Sequence, residues 1–435
     1  MKRRTLTAVL ALSASLLVAS GAAASAAAPT TTPGTGPSPV TFTPIHRSDA
    51  ADRPAAAATS QADGLAAAPV APGGRFIPTD PYRLIDTRYN GDGALSPQFA
   101  WFYDLSAMPL DVTALVLNVT STQGTANSSY VTVMDDFAIQ DMIDFHTIPA
   151  TSSLNTQINH DVANLVTVPL DGERWIGLYN NAGWTQLIVD VEGYYSSAGG
   201  AGFVPTDPTR VLDTRDTFPL ISYDSRNLTF AAAPANAVGV ALTITSTHTT
   251  APTSWVGAWP LDADVPGQKH ASSVLNTYPG SDIPNLAVVQ LGASKTITLY
   301  NNLGVTNLVV DVVGWYVSDG GADYFPVSAQ RALGSGSIGQ GGERAFTMVG
   351  AGVSVPEDAD AVALNLTTTH PTASSYLTLY PTGTTRPLAS NANTRLGADV
   401  ATAAFVRLAP GFTLFNNAGT VDALIDVEGY FDTVN

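Results

Sequence analysis

The stretch that decides the fold is Phe76-Ile-Pro-Thr-Asp-Pro-Tyr-Arg-Leu-Ile-Asp-Thr-Arg88, because the chain contains it again as Phe203-Val-Pro-Thr-Asp-Pro-Thr-Arg-Val-Leu-Asp-Thr-Arg215. A degenerate third copy begins at Tyr324 and ends in Gly334-Ser-Gly336, where the Asp and the last Arg of the motif are both replaced by Gly. Such a long internal period means that each copy has the size of a whole domain.

Two further motifs follow each opening in the same order. The middle motif reads Leu-Asn-Val-Thr from Leu117, and the closing motif runs from Leu-Tyr-Asn-Asn-x-Gly to Asp-Val-Glu-Gly-Tyr-Tyr195 in the first copy. Large apolar side chains alternate with small or polar ones in the middle motif, which is typical of a half-buried β-strand. Eight strand-like segments in the first copy are found at 83–88, 99–105, 114–121, 129–134, 152–156, 162–168, 175–179 and 186–195. No segment shows a helical apolar stripe. The sequence therefore predicts an all-β protein of three tandem antiparallel β-sandwich domains, jelly-roll-like in type.

The residues before the repeats differ from them in composition. Residues 1–28 combine an N-terminal basic cluster, a short apolar run and small residues, which predicts a secretory signal peptide, by the general secretory or the twin-arginine route. Residues 29–74 are rich in Ala, Pro and Thr, which predicts a disordered stalk. The predicted domains are repeat 1 at 75–198, repeat 2 at 199–320 and repeat 3, with its degenerate opening, at 321–435. The mature protein is expected to be secreted, extracellular or cell-surface associated, without a transmembrane anchor.

The three ordered motifs of each copy resemble a repeat family found in secreted and cell-surface proteins of actinobacteria and some soil bacteria. The resemblance covers Phe76 to Phe431. It implies an extracytoplasmic β-rich module that often accompanies enzymatic domains, and it implies no catalytic residue.

Charged residues within the repeats suggest a structural pairing. Each copy keeps an Arg in its opening motif and an Asp in its apolar closing strand, and we expect these to pair as Arg83 with Asp190, Arg210 with Asp311, and Arg331 with Asp426. Loss of both charged residues from the degenerate third opening suggests that Asp86 with Arg88, and Asp213 with Arg215, each form one paired unit, since a single loss would leave a charge uncompensated. These four residues are also candidates for ligand binding.

Aromatic residues provide the other binding candidates. Trp101 and Tyr103 belong to an aromatic cluster that the other copies lack, and Trp184 follows the Asn-Asn-Ala-Gly turn of repeat 1. Aromatic rings at the rim of a sandwich can stack on sugar faces, although core packing is an alternative for each.

A carboxylate cluster in repeat 1 consists of Asp135, Asp136, Asp141 and Asp144. No spacing in this cluster selects a catalytic pair.

Composition excludes several functions. The chain of 435 residues has no cysteine, which removes disulfides, thiolate metal sites and cysteine nucleophiles. Loss of three basic residues with the signal peptide would change the formal net charge from −17 to −20, which argues against a nucleic-acid partner. We find no catalytic motif and predict no cofactor or metal site.

Three hypotheses for the function remain: a non-catalytic module that binds a cell-envelope or environmental polysaccharide, a structural or assembly protein that docks to a protein partner or self-associates, and a hydrolase with a carboxylate site in repeat 1.

Overall fold

The computed structural model describes residues 44–45, 72–261, 272–348, 353 and 355–433. The predicted signal peptide lies outside these residues, as does most of the predicted stalk. One part of the stalk is ordered, since Pro44–Ile45 forms strand β1 and pairs antiparallel with Phe102 and Tyr103. The predicted stalk is therefore extended at these two residues.

The prediction of an all-β protein is confirmed. The strands of repeat 1 are β2 (Arg75–Asp86), β3 (Phe99–Asp104), β4 (Val112–Thr122), β5 (Ser129–Met134), β6 (Leu154–Thr156), β7 (Val162–Pro169), β8 (Trp175–Asn180) and β9 (Gln186–Ser196). The strands of repeat 2 are β10 (Gly202–Asp213), β11 (Asp224–Thr229), β12 (Ala237–Thr247), β13 (Ser254–Pro260), β14 (Leu275–Thr277), β15 (Ile283–Gln290), β16 (Thr296–Asn301) and β17 (Asn307–Val317). The strands of repeat 3 are β18 (Asp323–Ile338), β19 (Glu343–Phe346), β20 (Ala361–Thr369), β21 (Ser375–Pro381), β22 (Ala392–Thr394), β23 (Val400–Arg407), β24 (Phe412–Asn416) and β25 (Val421–Asp432).

Each repeat contributes two antiparallel sheets. In repeat 1 the strand orders are β2-β9-β4-β7 and β3-β8-β5-β6, with β1 added beside β3, and repeats 2 and 3 have the same two orders. The facing sides of the two sheets share one hydrophobic cluster, to which β4 contributes Leu117, β5 contributes Val131 and β8 contributes Leu178. Equivalent clusters lie within repeats 2 and 3. The apolar face of each middle motif thus packs within its own repeat.

A fourth hydrophobic cluster joins all three repeats. It contains Val116, Ala241 and Ala363, which occupy the face of the middle strands that alternates with the apolar one. Every residue of β4 is buried, so the prediction of a half-buried strand is wrong. Small side chains on this face allow three sheets, those that contain β2, β10 and β18, to approach one another closely. The face that the sequence pattern suggested was exposed to solvent is therefore an interface between repeats.

Six aromatic side chains form the centre of this shared cluster. They come from equivalent positions of the opening and closing motifs, and they are Phe76, Tyr195, Phe203, Tyr316, Tyr324 and Phe431. Tyr195 stacks on Tyr324 with ring centroids 4.2 Å apart, and its hydroxyl lies 2.5 Å from that of Tyr316. All six side chains are 0–1% exposed. The repeats therefore form one body and not three independent beads.

Backbone hydrogen bonds connect the repeats cyclically. Phe76 of repeat 1 bridges Ala201 of repeat 2, Phe203 bridges Ala322 of repeat 3, and Tyr324 bridges Gly74, the residue just before repeat 1, with N···O distances of 2.8–2.9 Å. Each repeat consequently contacts both others near its opening motif.

One helix was not predicted. Helix α1 (Asp136–Phe145) begins after Asp135, whose side chain accepts a hydrogen bond from the Ala138 backbone N–H at 2.9 Å. Ile139 and Met142 pack from the helix onto a small cluster with Phe102 and Tyr179. The N-capping Asp followed by apolar residues at helical spacing was the sequence signal for this element.

Candidate functional site

All three Arg–Asp pairs expected from the sequence are present. Arg83 binds Asp190 with two hydrogen bonds of 2.6 and 3.1 Å, and Arg210 binds Asp311 in the same way at 2.6 and 3.3 Å. Arg331 forms the corresponding pair with Asp426. Each pair links the first strand of a repeat to its last strand. The Asp side chains are almost fully buried, whereas the Arg side chains are about one-third exposed.

The Asp-Thr-Arg motifs extend these pairs into chains of charges. Asp213 accepts hydrogen bonds from Arg215 at 2.5 and 2.8 Å and from Arg210 at 3.1 Å. The hydrogen bond from Arg215 lowers the pKa of Asp213, so this carboxylate is ionised at neutral pH. Asp86, Arg88 and Arg83 repeat the arrangement in repeat 1, with Arg88 and Asp86 2.6 Å apart. In repeat 3, Gly334 and Gly336 replace the Asp and the last Arg of the motif, so the Arg331–Asp426 pair has no such neighbouring charges.

The arginines of two of these pairs also connect neighbouring repeats. Arg210 of repeat 2 donates to the carbonyl oxygen of Leu388 in repeat 3 at 2.6 Å. Arg331 of repeat 3 donates to the carbonyl oxygen of Ala150 in repeat 1 at 2.9 Å. Leu388 and Ala150 occupy equivalent positions, since Leu388 lies four residues before β22 begins and Ala150 lies four residues before β6 begins. These arginines therefore hold strand pairing within a repeat and contact between repeats at the same time.

Two of the three predicted aromatic candidates are unavailable to a ligand. Trp101 and Tyr103 belong to the hydrophobic core of repeat 1 and are 6% and 0% exposed. The prediction that they bind ligand is corrected, because these rings fill the space between the two sheets of the repeat. Trp184 differs, since it is 52% exposed beside the turn at 181–183. Its backbone N–H donates to Thr125 Oγ1 at 2.8 Å, which fixes the backbone while the indole faces solvent.

A cavity of about 800 Å³ lies where the repeats meet. Asp213 and Arg215 line it from repeat 2, together with Arg210, whereas Asp86, Arg88 and Trp184 do not. The rest of the wall includes the loops around β6, β14 and β22, the ends of β7, β12, β15, β21 and β23, and Val309 of β17. Its volume lies within the range of about 300–1,000 Å³ typical of small-molecule sites.

Three equivalent positions from the three repeats converge at one wall of this cavity. They are Gln157, Tyr278 and Arg395, each the residue after an Asn-Thr dipeptide. The guanidinium of Arg395 donates to the Tyr278 hydroxyl at 2.5 Å, to Ser281 Oγ at 3.1 Å and to Gln157 Oε1. Its acceptors are all uncharged. We name this group the axial triad. Because its members are Gln, Tyr and Arg, the sequence comparison of the repeats gave no reason to group them.

Electrostatic effects of the triad extend to a neighbouring histidine. His160 contacts the Tyr278 ring edge-on with centroids 4.0 Å apart. Burial, with a contribution from the charge of Arg395, lowers the pKa of His160, so its imidazole is neutral at neutral pH. His160 therefore adds no positive charge beside Arg395.

Two members of the predicted carboxylate cluster, Asp135 and Asp136, have structural roles. Asp135 caps helix α1 and accepts a hydrogen bond from Ser328 of repeat 3 at 3.0 Å. Asp136 accepts hydrogen bonds from the backbone N–H groups of Glu173 and Arg174. Burial raises the pKa of Asp135 to about 7. None of these carboxylates lines the cavity.

Two other kinds of feature are absent from the part of the chain that the structure describes. No group of three or more His, Asp or Glu side chains has an arrangement that could hold a metal ion. No helix there has the length and apolar character needed to cross a membrane.

Comparisons with known proteins give only remote structural likenesses. No family model matches the chain, and no curated protein matches it. A structure of Sulfolobus turreted icosahedral virus is 8% identical over 79% of this chain and 86% of its own, with a TM-score of 0.20. A triple jelly-roll protein of turret assembly in an archaeal virus is 8% identical over 83% and 91%, also at 0.20. The CBM22-1–CBM22-2 tandem domain of Paenibacillus barcinonensis Xyn10C is 8% identical over 59% and 100%, at 0.17. At these TM-scores the likenesses carry no argument about fold or function.

Proposed function

We propose that this protein is an exported, non-catalytic binding protein that takes a cell-envelope or environmental polysaccharide in the cavity between its repeats. The observation that carries the proposal is the composition of the cavity wall, which brings Arg215 and Asp213, the axial triad and several Ser, Thr and Asn side chains to one concave surface. Planar polar groups beside aromatic rings provide both the hydrogen bonds and the apolar contact that sugars require.

The proposal includes the architecture and location of the chain. Each repeat is a jelly-roll-like sandwich, which is supported by the strand orders β2-β9-β4-β7 and β3-β8-β5-β6 and by the apolar cluster between these sheets. Residues 1–28 direct export, and the repeats belong to the actinobacterial secreted or cell-surface type that their motifs resemble. The basis for location is the sequence pattern alone.

Binding to insoluble polysaccharides tests this function. The full chain, incubated with peptidoglycan, chitin and cellulose at moderate salt, is expected to be retained on at least one of them. Arg215→Ala changes the cavity wall while Asp213 keeps its contact with Arg210. Trp184→Ala changes the exposed aromatic residue outside the cavity.

The two variants locate the binding surface. Loss of retention in Arg215→Ala but not in Trp184→Ala supports the cavity, whereas the reverse result places binding at the turn of repeat 1. Failure of the unmodified chain to bind any polysaccharide would contradict the proposed function.

A protein-binding role is the second candidate because repeat 2 carries exposed apolar residues close together in sequence. Phe218, Ile221 and Tyr223 are each more than half exposed. A stoichiometric protein that copurifies with the chain and is lost from a Phe218→Ser variant would favour this role. The hydrolase hypothesis has no comparable support, since Asp135 and Asp136 are engaged in structural hydrogen bonds.

A further inference from the structure

We infer that the cavity accepts uncharged sugar units and that Thr245 and Asn393 are hydrogen-bonding residues for them. This inference rests on the proposed polysaccharide-binding function and adds the class of sugar. Neither residue belongs to a motif that the sequence singled out for binding.

Two polar atoms in the cavity wall have no hydrogen-bond partner among the described residues. Thr245 Oγ1, on β12 of repeat 2, belongs to a side chain that is 5% exposed, and Asn393 Oδ1, on β22 of repeat 3, is also buried. A buried polar atom without a partner is unfavourable, so a ligand that supplies one gains from binding there. Asn393 Oδ1 requires a donor, and the Thr245 hydroxyl can donate or accept. Sugar hydroxyl groups serve both.

The charges around the cavity disfavour an anionic ligand. Arg215 is paired with Asp213, and Arg210 is paired with Asp311. Among the described residues of the wall, Arg395 is the remaining cation, whereas three further carboxylates line it, namely those of Asp216, Asp282 and Asp399. An acidic sugar would meet this excess of negative charge, while a neutral sugar would not.

Apolar side chains at the cavity complete the match to a sugar. Tyr376 is 36% exposed and Leu388 is 90% exposed, and both line the cavity. The C–H faces of pyranose rings can pack against such surfaces while their hydroxyls reach the polar wall. The site draws on repeats 2 and 3 together, so neither repeat alone contains it.

The experiment measures binding of soluble oligosaccharides to the full chain by calorimetry. The probes are cellohexaose, xylohexaose, mannohexaose and maltohexaose as neutral ligands and hexagalacturonate as the acidic one. We expect a neutral probe to bind with an affinity that hardly changes with salt, because no ion pair forms. Thr245→Val and Asn393→Ala should each weaken binding about tenfold, as expected for loss of one buried hydrogen bond.

Thr120→Val is the matched control. Thr120 occupies the position in repeat 1 equivalent to Thr245, and its Oγ1 is also buried without a partner, but it does not line the cavity. Both Thr→Val variants should raise the melting temperature, since each removes an unpaired buried hydroxyl. Only Thr245→Val should weaken binding. Weaker binding together with a higher melting temperature shows that the variant has lost a hydrogen bond to the sugar and not its fold.

The possible failures are distinguishable. Preferential, salt-sensitive binding of hexagalacturonate would overturn the inference and leave polysaccharide binding intact. Unchanged affinity in both cavity variants would also overturn it. Absence of binding to every probe and to the insoluble polysaccharides would overturn the proposed function itself.

Discussion

Buried charged residues perform two different tasks in this protein. The Asp of each Arg–Asp pair is compensated by a bidentate partner in its own repeat, as with Arg83 and Asp190. Glu192 and Glu428, two residues further along the closing strands, are also buried. Glu428 of repeat 3 accepts a hydrogen bond from the Thr167 backbone N–H of repeat 1 at 3.1 Å. Glu428 therefore makes the contact between repeats 1 and 3 sensitive to protonation.

Stability should depend on pH through Glu428. Burial raises its pKa from 4.5 to about 8, so the folded state keeps a proton that the unfolded state releases. The free energy of unfolding consequently falls as pH rises between these values. Glu428→Gln, which stays uncharged, should flatten this decline and should melt higher than the natural protein at about pH 9, by about 2–4 °C for each kcal/mol relieved. Thermal melting at several pH values measures the effect.

The equivalent position in repeat 2 provides the comparison for this variant. Val313 shows that an uncharged side chain is accepted there. Burial also raises the pKa of Glu192, so Glu192→Gln should act in the same direction and the double variant should be the flattest. Equal pH profiles for Glu428→Gln and the natural protein would show that Glu428 does not titrate in this range.

At the scale of elements, the Asn-Asn-x-Gly turns are fixed by their first Asn. Asn180 is fully buried, and its Nδ2 donates to the carbonyl oxygens of Leu95, Ser96 and Gly183 at 2.6–3.2 Å. Asn301 and Asn416 have the same pattern of contacts in the other repeats. Gly183 adopts a φ of +62°, with the Ala126 backbone too close for a side chain. The first Asn of each motif therefore has a structural role, since its buried side chain holds the turn by hydrogen bonds.

Substitution of the two asparagines should have unequal effects. Asn180→Ala leaves buried carbonyl groups without donors and should cost about 3 kcal/mol of unfolding free energy. Asn181→Ala should cost less than about 0.5 kcal/mol, since no side-chain hydrogen bond of Asn181 is seen among the described residues. Urea denaturation of both variants measures the difference. Similar losses for the two positions would contradict the assignment of the turn to Asn180.

At the scale of the whole molecule, the three repeats share a core that none could cover alone. Phe203 and Tyr316 of repeat 2 contact each other and rings of both neighbours: Phe76 of repeat 1 lies 4.3 Å from Tyr316, and Phe431 of repeat 3 lies 4.3 Å from Phe203, between ring centroids. A separated repeat would expose these side chains to water, which favours aggregation or loss of structure. Binding experiments therefore need the intact chain.

The described body should unfold as one cooperative unit. Calorimetry is expected to show a single transition, because the shared core links every repeat. A protease site introduced after Ser318, in the exposed joint between repeats 2 and 3, should allow cleavage without dissociation. Size-exclusion chromatography of the cleaved chain measures this. Separate transitions, or release of a folded repeat 3, would show that the repeats are independent.

Most elements of this protein follow from its sequence alone, because strand period, turn residues and repeated motifs act over short distances. It predicted the strand-rich class, nearly every strand of repeat 1 and the three Arg–Asp pairs. Helix α1 was missed because its single apolar stripe is short and occurs in only one copy. The tertiary structure decided which faces meet. The sequence pattern suggested that the face with Val116, Ala241 and Ala363 was exposed to solvent. The axial triad shares only its position in the repeats, because its members are Gln157, Tyr278 and Arg395. Only the packing of three repeats around one core buries the first group and brings the second to a shared cavity, since both depend on contacts between residues more than a hundred positions apart.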